Sequence, residues 1–196
     1  MSASSVLQVP GILADGDIAV QAAAHVRFLV LDVDGVCTDG KLYYSPSGYA
    51  VKCFSSLDGI GIKTALRCGL GVGIITGRSD PAVLARMSQL GVKDYFPGCE
   101  SKLVPLEAIR RRYALTFEEM AYLGDDWIDL DPMRTVGMPM AVANAVAQVK
   151  KEARYVTAAR GGEGAVREAV EFLLAARMDG TNPADVWTQA TGSARL

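Results

Sequence analysis

The stretch FLVLDVDGV, Phe28 to Val36, closes an apolar run on two aspartates one residue apart. A strand repeats every two residues, so Asp32 and Asp34 are predicted to project toward one side and Val33 toward the other. Carboxylates gathered at a strand end are costly to desolvate without a counter-charge, and a divalent metal is the economical answer. Three later positions add complementary groups: the hydroxyl of Thr76, the ammonium of Lys102, and the acidic pair Asp125 and Asp126 followed by Asp129. A metal, a nucleophilic carboxylate, a hydroxyl and an ammonium are what the transfer of a phosphoryl group requires, because its equatorial oxygens must be neutralised as it moves.

Such groups act together only if the chain brings their elements to one rim. Residues 28–31 read as a strand buried on both faces, the habit of parallel sheets inside α/β domains, where ligands collect beyond the carboxyl ends of strands. Residues 15–25 read as a short helix with Asp15 or Asp17 as cap. A hairpin is expected between Val36 and Leu57, KLYYS and AVKCF around Pro46-Ser47-Gly48, overhanging the end of the first strand. A helix over 60–69 stops at a glycine. LGVGIITGR is a second buried strand, and Ser79-Asp80-Pro81 opens a helix through Leu90. A short strand near Tyr95 and Phe96, a helix from Ser101 with Pro105 in its first turn, and the strand EEMAYLGDD follow. IDLDPMRTVG, PMAVA, AVAQVKKEA and YVT continue as helix, strand, helix and strand. The glycine-rich GGEGAVRE then leads into a helix ending near Met178. Alternation of this kind implies a doubly wound, mostly parallel sheet. The chain is thereby divided into an N-terminal extension with its helix (1–24), one α/β domain (25–178) and a polar tail (179–196).

Composition narrows the function classes. The chain has 196 residues, half of them apolar, and a net charge of −2. That is the profile of a globular, soluble, slightly acidic protein of one ordinary domain. No basic stripe argues for nucleic acid, and charge or glycine interrupts each apolar run before the ~20 residues of a membrane span. Cys37, Cys53, Cys68 and Cys99 are scattered, without a C-x-x-C pair or an export signal, so reduced thiols in a cytoplasm are expected. The lone histidine, His25, lacks a partner for catalysis. Tyr43 and Tyr44 read as hairpin packing.

D-x-D-G-V at 32–36, T-G at 76–77, Lys102 at the head of a helix and G-D-D-x-x-D at 124–129 resemble, in order and spacing, the four motifs of the haloacid dehalogenase-like phosphatases. The resemblance implies a Rossmann-like fold in which Asp32 attacks phosphorus and becomes an aspartyl-phosphate. Asp34 would protonate the leaving alcohol and later deprotonate the attacking water. Thr76 would hold a phosphoryl oxygen, and Lys102 would offset charge on Asp32 and on the phosphoryl group. Asp32, the backbone carbonyl of Asp34 and Asp125 would bind Mg2+, with Asp126 and Asp129 behind them. Many relatives insert a cap domain, for which this chain has no room, so the site is expected either open or closed by another subunit.

GGEGAVRE resembles the C-terminal signature of a branch of small tetrameric phosphatases that act on phosphorylated sugar acids, in which this tail reaches a neighbour's active site. Within that branch, residues 25–178 resemble the 3-deoxy-D-manno-octulosonate 8-phosphate phosphatases. A cytoplasmic homotetramer serving lipopolysaccharide core synthesis is implied. The resemblance carries Asp34, Ser55, Ser56, Leu57, Asp58, Gly59, Lys63, Gly77, Arg78, Arg86 and Lys102 to the substrate, although arginine is common in the family where Lys63 stands. Arg78 matches this family, whereas relatives acting on nine-carbon sugar-acid phosphates tend to carry glutamate there; a cation also suits a substrate that ends in a carboxylate. The alternatives are a nine-carbon or broad-specificity phosphatase, and a non-catalytic assembly subunit of the same fold. The last would show a lost motif residue, and none is missing.

Overall fold

The computed structural model describes residues 16–46, 48–177 and 184. Six parallel strands form the main sheet: β1 (Phe28–Leu31), β4 (Gly71–Ile75), β5 (Asp94–Phe96), β6 (Met120–Gly124), β7 (Met138–Ala141) and β8 (Tyr155–Val156). β2 (Tyr43–Ser45) and β3 (Gly48–Val51) make the separate antiparallel hairpin. All four residues of β1 and all five of β6 are buried, which explains their unbroken apolar sequence.

The strand order is β5-β4-β1-β6-β7-β8. The chain steps from β1 outward through β4 and β5, then returns to lay β6 on the other flank of β1. That reversal is the switch point where open α/β sheets bind ligands. Register fixes what lies there: Leu31 pairs with Ile74 on one side and with Leu123 on the other. Asp32, Thr76 and Asp125, each one or two residues further along, therefore reach the same rim.

Helices α2 (Ser56–Arg67), α3 (Pro81–Leu90), α4 (Leu103–Arg112), α5 (Leu130–Thr135), α6 (Ala147–Glu152) and α7 (Ala165–Arg177) link or follow the strands, after α1 (Gly16–Ala24). α1 and α2 both pack on α7 and α3 contacts α2, while α4, α5 and α6 contact one another in turn. Ala19 and Ala23 of α1 are buried, so part of the expected N-terminal extension lies in the core. α2 starts four residues earlier than its sequence pattern suggests, because Ser55 caps it with a side-chain bond to the Leu57 N–H. The expected helix from Ile128 divides into a 3-10 turn, Trp127–Asp129, and α5. No cap domain is present among the described residues, and no described helix is long and apolar enough to cross a membrane. The expected polar tail lies, apart from Ala184, outside the described residues.

Candidate active site

β1 ends at Leu31, and a tight turn follows in which the N–H groups of Val36, Cys37 and Thr38 all converge on the Val33 carbonyl. Gly35 sits in this turn at φ +89, where side chains are disfavoured, and a Cβ on it would collide with the Asp125 carboxylate. The turn also corrects the strand-alternation reading of Asp32 and Asp34. Strand periodicity stops before Asp34, so the two carboxyl groups serve different partners. Asp32 joins a buried cluster, while Asp34 faces Lys52 and Arg78 at the opening.

In the buried cluster, Asp32, Asp125 and Asp129 each bring a carboxylate oxygen within 4.8 Å of the others. Lys102, at the start of α4, has its side chain 1% exposed, and its Nζ lies 2.8 Å from Asp32 Oδ1 and 2.7 Å from Asp129 Oδ1. Asp129 Oδ1 also accepts from Tyr122 Oη at 2.7 Å, and its Oδ2 accepts from the N–H groups of Asp125 and Asp126 at 3.0 and 3.2 Å. All four acceptor sites of Asp129 are thus engaged. It orients Lys102 and the Asp125 backbone and has no oxygen left for a metal. Asp126 caps the 3-10 turn through the Trp127 N–H at 2.7 Å.

Burial first, then the Asp129 charge, pushes Asp32 up to about 7 despite Lys102. Burial, followed by the charges of Asp32, Asp129 and Asp126, pushes Asp125 up to about 8. Burial alone would lower Lys102, but the Asp32 and Asp129 carboxylates more than reverse it and hold the ammonium above its ordinary range. Two carboxylates raised by burial and by neighbouring negative charge, with hard oxygen donors still available, fit a divalent cation.

Thr76 is 2% exposed and locked at the end of β4: its N–H donates to Phe96 O and its carbonyl accepts from Cys99 N, both at 3.0 Å. Its Oγ1 accepts from Arg78 N at 3.4 Å. The Arg78 side chain is half exposed, with Nε 3.8 Å from Asp34 Oδ2 and Nη1 donating to Tyr44 Oη at 3.3 Å. Gly77 is exposed between them. Tyr44 therefore extends the site from the hairpin, beyond a packing role.

The residues expected around the sugar divide. Ser56 and Leu57 are exposed on the first turn of α2, and Leu57 lies beside Gly164. Arg86 donates from Nη2 to Ser55 O at 3.2 Å, fastening α3 to the α2 cap, and Lys63 is half-buried. Asp58 and Gly59, by contrast, are turned into the fold. Asp58 Oδ1 accepts from Arg167 N at 2.9 Å at the start of α7, and burial raises its carboxyl against the help of the N–H groups there. A Cβ on Gly59 would strike the Arg86 guanidinium. GGEG lies directly on the turn after β1: Gly162 N donates to Val36 O at 3.0 Å, and Asn144 bridges Gly161 N and Gly35 O at 2.6 and 2.9 Å.

Sequence reasoning missed Lys52, Asn144 and Tyr122 as site residues; each is placed there by a tertiary contact rather than by a motif. His25 is exposed before β1, at the other end of the strand from the site. The four cysteines are free.

Residues 96–169 match the haloacid dehalogenase-like hydrolase family. The chain is 40% identical over 158 residues to a 3-deoxy-D-manno-octulosonate 8-phosphate phosphatase of Escherichia coli, covering 81% of this chain and 84% of that one. Its fold superposes on the crystal structure of the phosphatase of that name from Yersinia pestis with a TM-score of 0.81 at 38% identity, over 83% of this chain and 88% of that one. The Moraxella catarrhalis phosphatase in complex with magnesium, phosphate and KDO gives a TM-score of 0.82 at 32% identity, over 88% of this chain and 97% of that one.

Proposed function

The chain belongs to the haloacid dehalogenase-like hydrolases, within their 3-deoxy-D-manno-octulosonate 8-phosphate phosphatases, and on that premise we propose that it hydrolyses this ester to free octulosonate and inorganic phosphate. The observation that carries the reading is the pairing of Asp32 with buried Lys102 beside Asp125, on adjacent parallel strands at the switch point.

Asp32 attacks phosphorus as the bond to the sugar oxygen breaks, and Asp34 gives that oxygen its proton. Lys102 and the Thr76 hydroxyl hold the charge that develops on the phosphoryl oxygens. Asp34 then takes a proton from water, which attacks phosphorus and frees Asp32. Asp32, Asp125 and the backbone carbonyl of Asp34 would hold Mg2+, which supplies charge neutralisation of the phosphoryl oxygens. Gly77, Arg78, Ser55, Ser56, Leu57, Lys63 and Arg86 are proposed on the sugar-acid side, with Arg78 drawing the carboxylate. The proposal includes a cytoplasmic homotetramer that brings C-terminal residues near a neighbouring site and supplies octulosonate for lipopolysaccharide core assembly.

Phosphate release with Mg2+ across a panel of sugar phosphates tests this. Octulosonate 8-phosphate is expected to lead by at least tenfold in kcat/KM, and Arg78→Glu is expected to lower it by about 10- to 100-fold, the range set by losing a charge-assisted contact. Equal turnover on every ester removes the specificity.

A further inference from the structure

None of the steps above uses Lys52. It leaves the hairpin one residue after β3, its side chain is 1% exposed, and its Nζ lies 2.5 Å from Asp34 Oδ1 and 3.9 Å from Asp80 Oδ2. Desolvating an ammonium is costly unless opposite charge compensates it, and here Asp34 and Asp80 do so. Asp80 is itself fixed as the cap of α3, with Oδ1 accepting from Ala82 N at 2.8 Å. Lys52 therefore bridges a rigid helix start to a carboxyl group that the turn after β1 would otherwise leave free to rotate. On the open side, Arg78 Nε approaches the other oxygen, Asp34 Oδ2, at 3.8 Å. One oxygen of Asp34 is tied down from within, and the second lies toward the opening.

The Lys52 ammonium is engaged by two carboxylates of the fold, Asp34 and Asp80. We propose that Lys52 is a positioning residue for Asp34: by holding Oδ1, it sets Oδ2 against the ester oxygen of the departing alcohol. The inference rests on the acid role given to Asp34 above. The proton passes from Asp34 Oδ2 to the ester oxygen as the bond from that oxygen to phosphorus breaks and the bond from Asp32 to phosphorus forms. Lys52 keeps its own protons throughout. The hairpin thereby contributes to the chemical step, since a shift of β3 moves the group that aligns the acid.

The experiment compares two esters. Octulosonate 8-phosphate leaves as an alkoxide that needs a proton, whereas p-nitrophenyl phosphate leaves as a stable phenolate that does not. Because kcat/KM reports only events up to release of the alcohol, the later work of Asp34 on water does not enter. Lys52→Met is expected to lower kcat/KM on the sugar ester by about 10²-fold, in the range of general acid catalysis, and on the aryl ester by less than about fivefold. Asp34→Asn should show the same selectivity. Lys52→Met/Asp80→Asn, which removes the charge left facing Asp34 and keeps a capping side chain, is measured alongside in case the single variant does not fold. Equal losses on both esters, or no loss on either, overturn the role of Lys52 while Asp34→Asn remains selective. If Asp34→Asn is itself unselective, the acid assignment falls and takes this one with it.

Discussion

Asp129 is wholly buried and carries four hydrogen bonds, one to each acceptor site of its carboxylate. It restrains Lys102, the Tyr122 hydroxyl and the backbone from which Asp125 projects, so its removal would loosen both flanks of Asp32 at once. Asp129→Ala removes the partner of the buried Tyr122 hydroxyl and of two partly buried N–H groups, and leaves an ammonium with one partner. Breaking a buried ionic network of this kind costs about 3–5 kcal/mol. Urea denaturation should show the midpoint falling with an unchanged slope, and an unshifted midpoint would mean that water replaces the carboxylate without penalty. The motif residues at 32, 76, 102 and 125 were legible because each stands at a boundary between strand or helix and loop, where the sequence pattern changes visibly. The buried task of Asp129 was less legible, since its partners Tyr122 and Lys102 come from β6 and the start of α4. Asp58 belongs to the segment expected at the substrate, and its carboxylate also accepts from the Arg167 N–H, a partner 109 residues away that no local pattern announces.

Among the elements, the glycine-rich segment before α7 shows how a distant loop supports the turn after β1. Gly161 and Gly162 lie so near Gly35 O and the Thr38 backbone that a Cβ on either would overlap main-chain atoms. Close backbone approach, with Asn144 stitching the two segments together, is the reason for glycine here. Gly161→Ala must push the turn that carries Asp34, at a cost of about 1–3 kcal/mol typical of overpacking. The expected result is a lower melting temperature together with a fall in kcat larger than any rise in KM, because Asp34, the proposed acid, is displaced more than the residues proposed on the sugar side. A variant with wild-type kcat would show that the turn holds its shape without this support. The alternation of strand and helix was readable from apolar runs and from proline and glycine stops. Lys52 escaped notice because only the path of the hairpin, not any periodicity, carries a residue 18 positions on back to Asp34.

For the molecule as a whole, the acidic cluster sets how folding responds to pH. An aspartate in the unfolded chain titrates near 3.8, whereas burial and neighbouring charge raise Asp32 to about 7 and Asp125 to about 8 in the fold. Between those values the native state holds protons that the unfolded state has released, so these two groups make stability decline as pH rises from about 4 to 8. A cation bound by the ionised carboxylates acts in the opposite direction, adding about 2.7 kcal/mol at a concentration 100 times its Kd, and protonation competes with it. Melting temperatures in EDTA are therefore expected to drop from pH 5.5 to 8.5, and the increment produced by millimolar Mg2+ to widen over the same interval. Asp125→Asn should flatten the EDTA curve and remove most of the magnesium increment, because it deletes both a titrating group and a proposed ligand. A magnesium increment of equal size at pH 5.5 and 8.5 would mean that the ion stabilises the fold from somewhere other than this cluster.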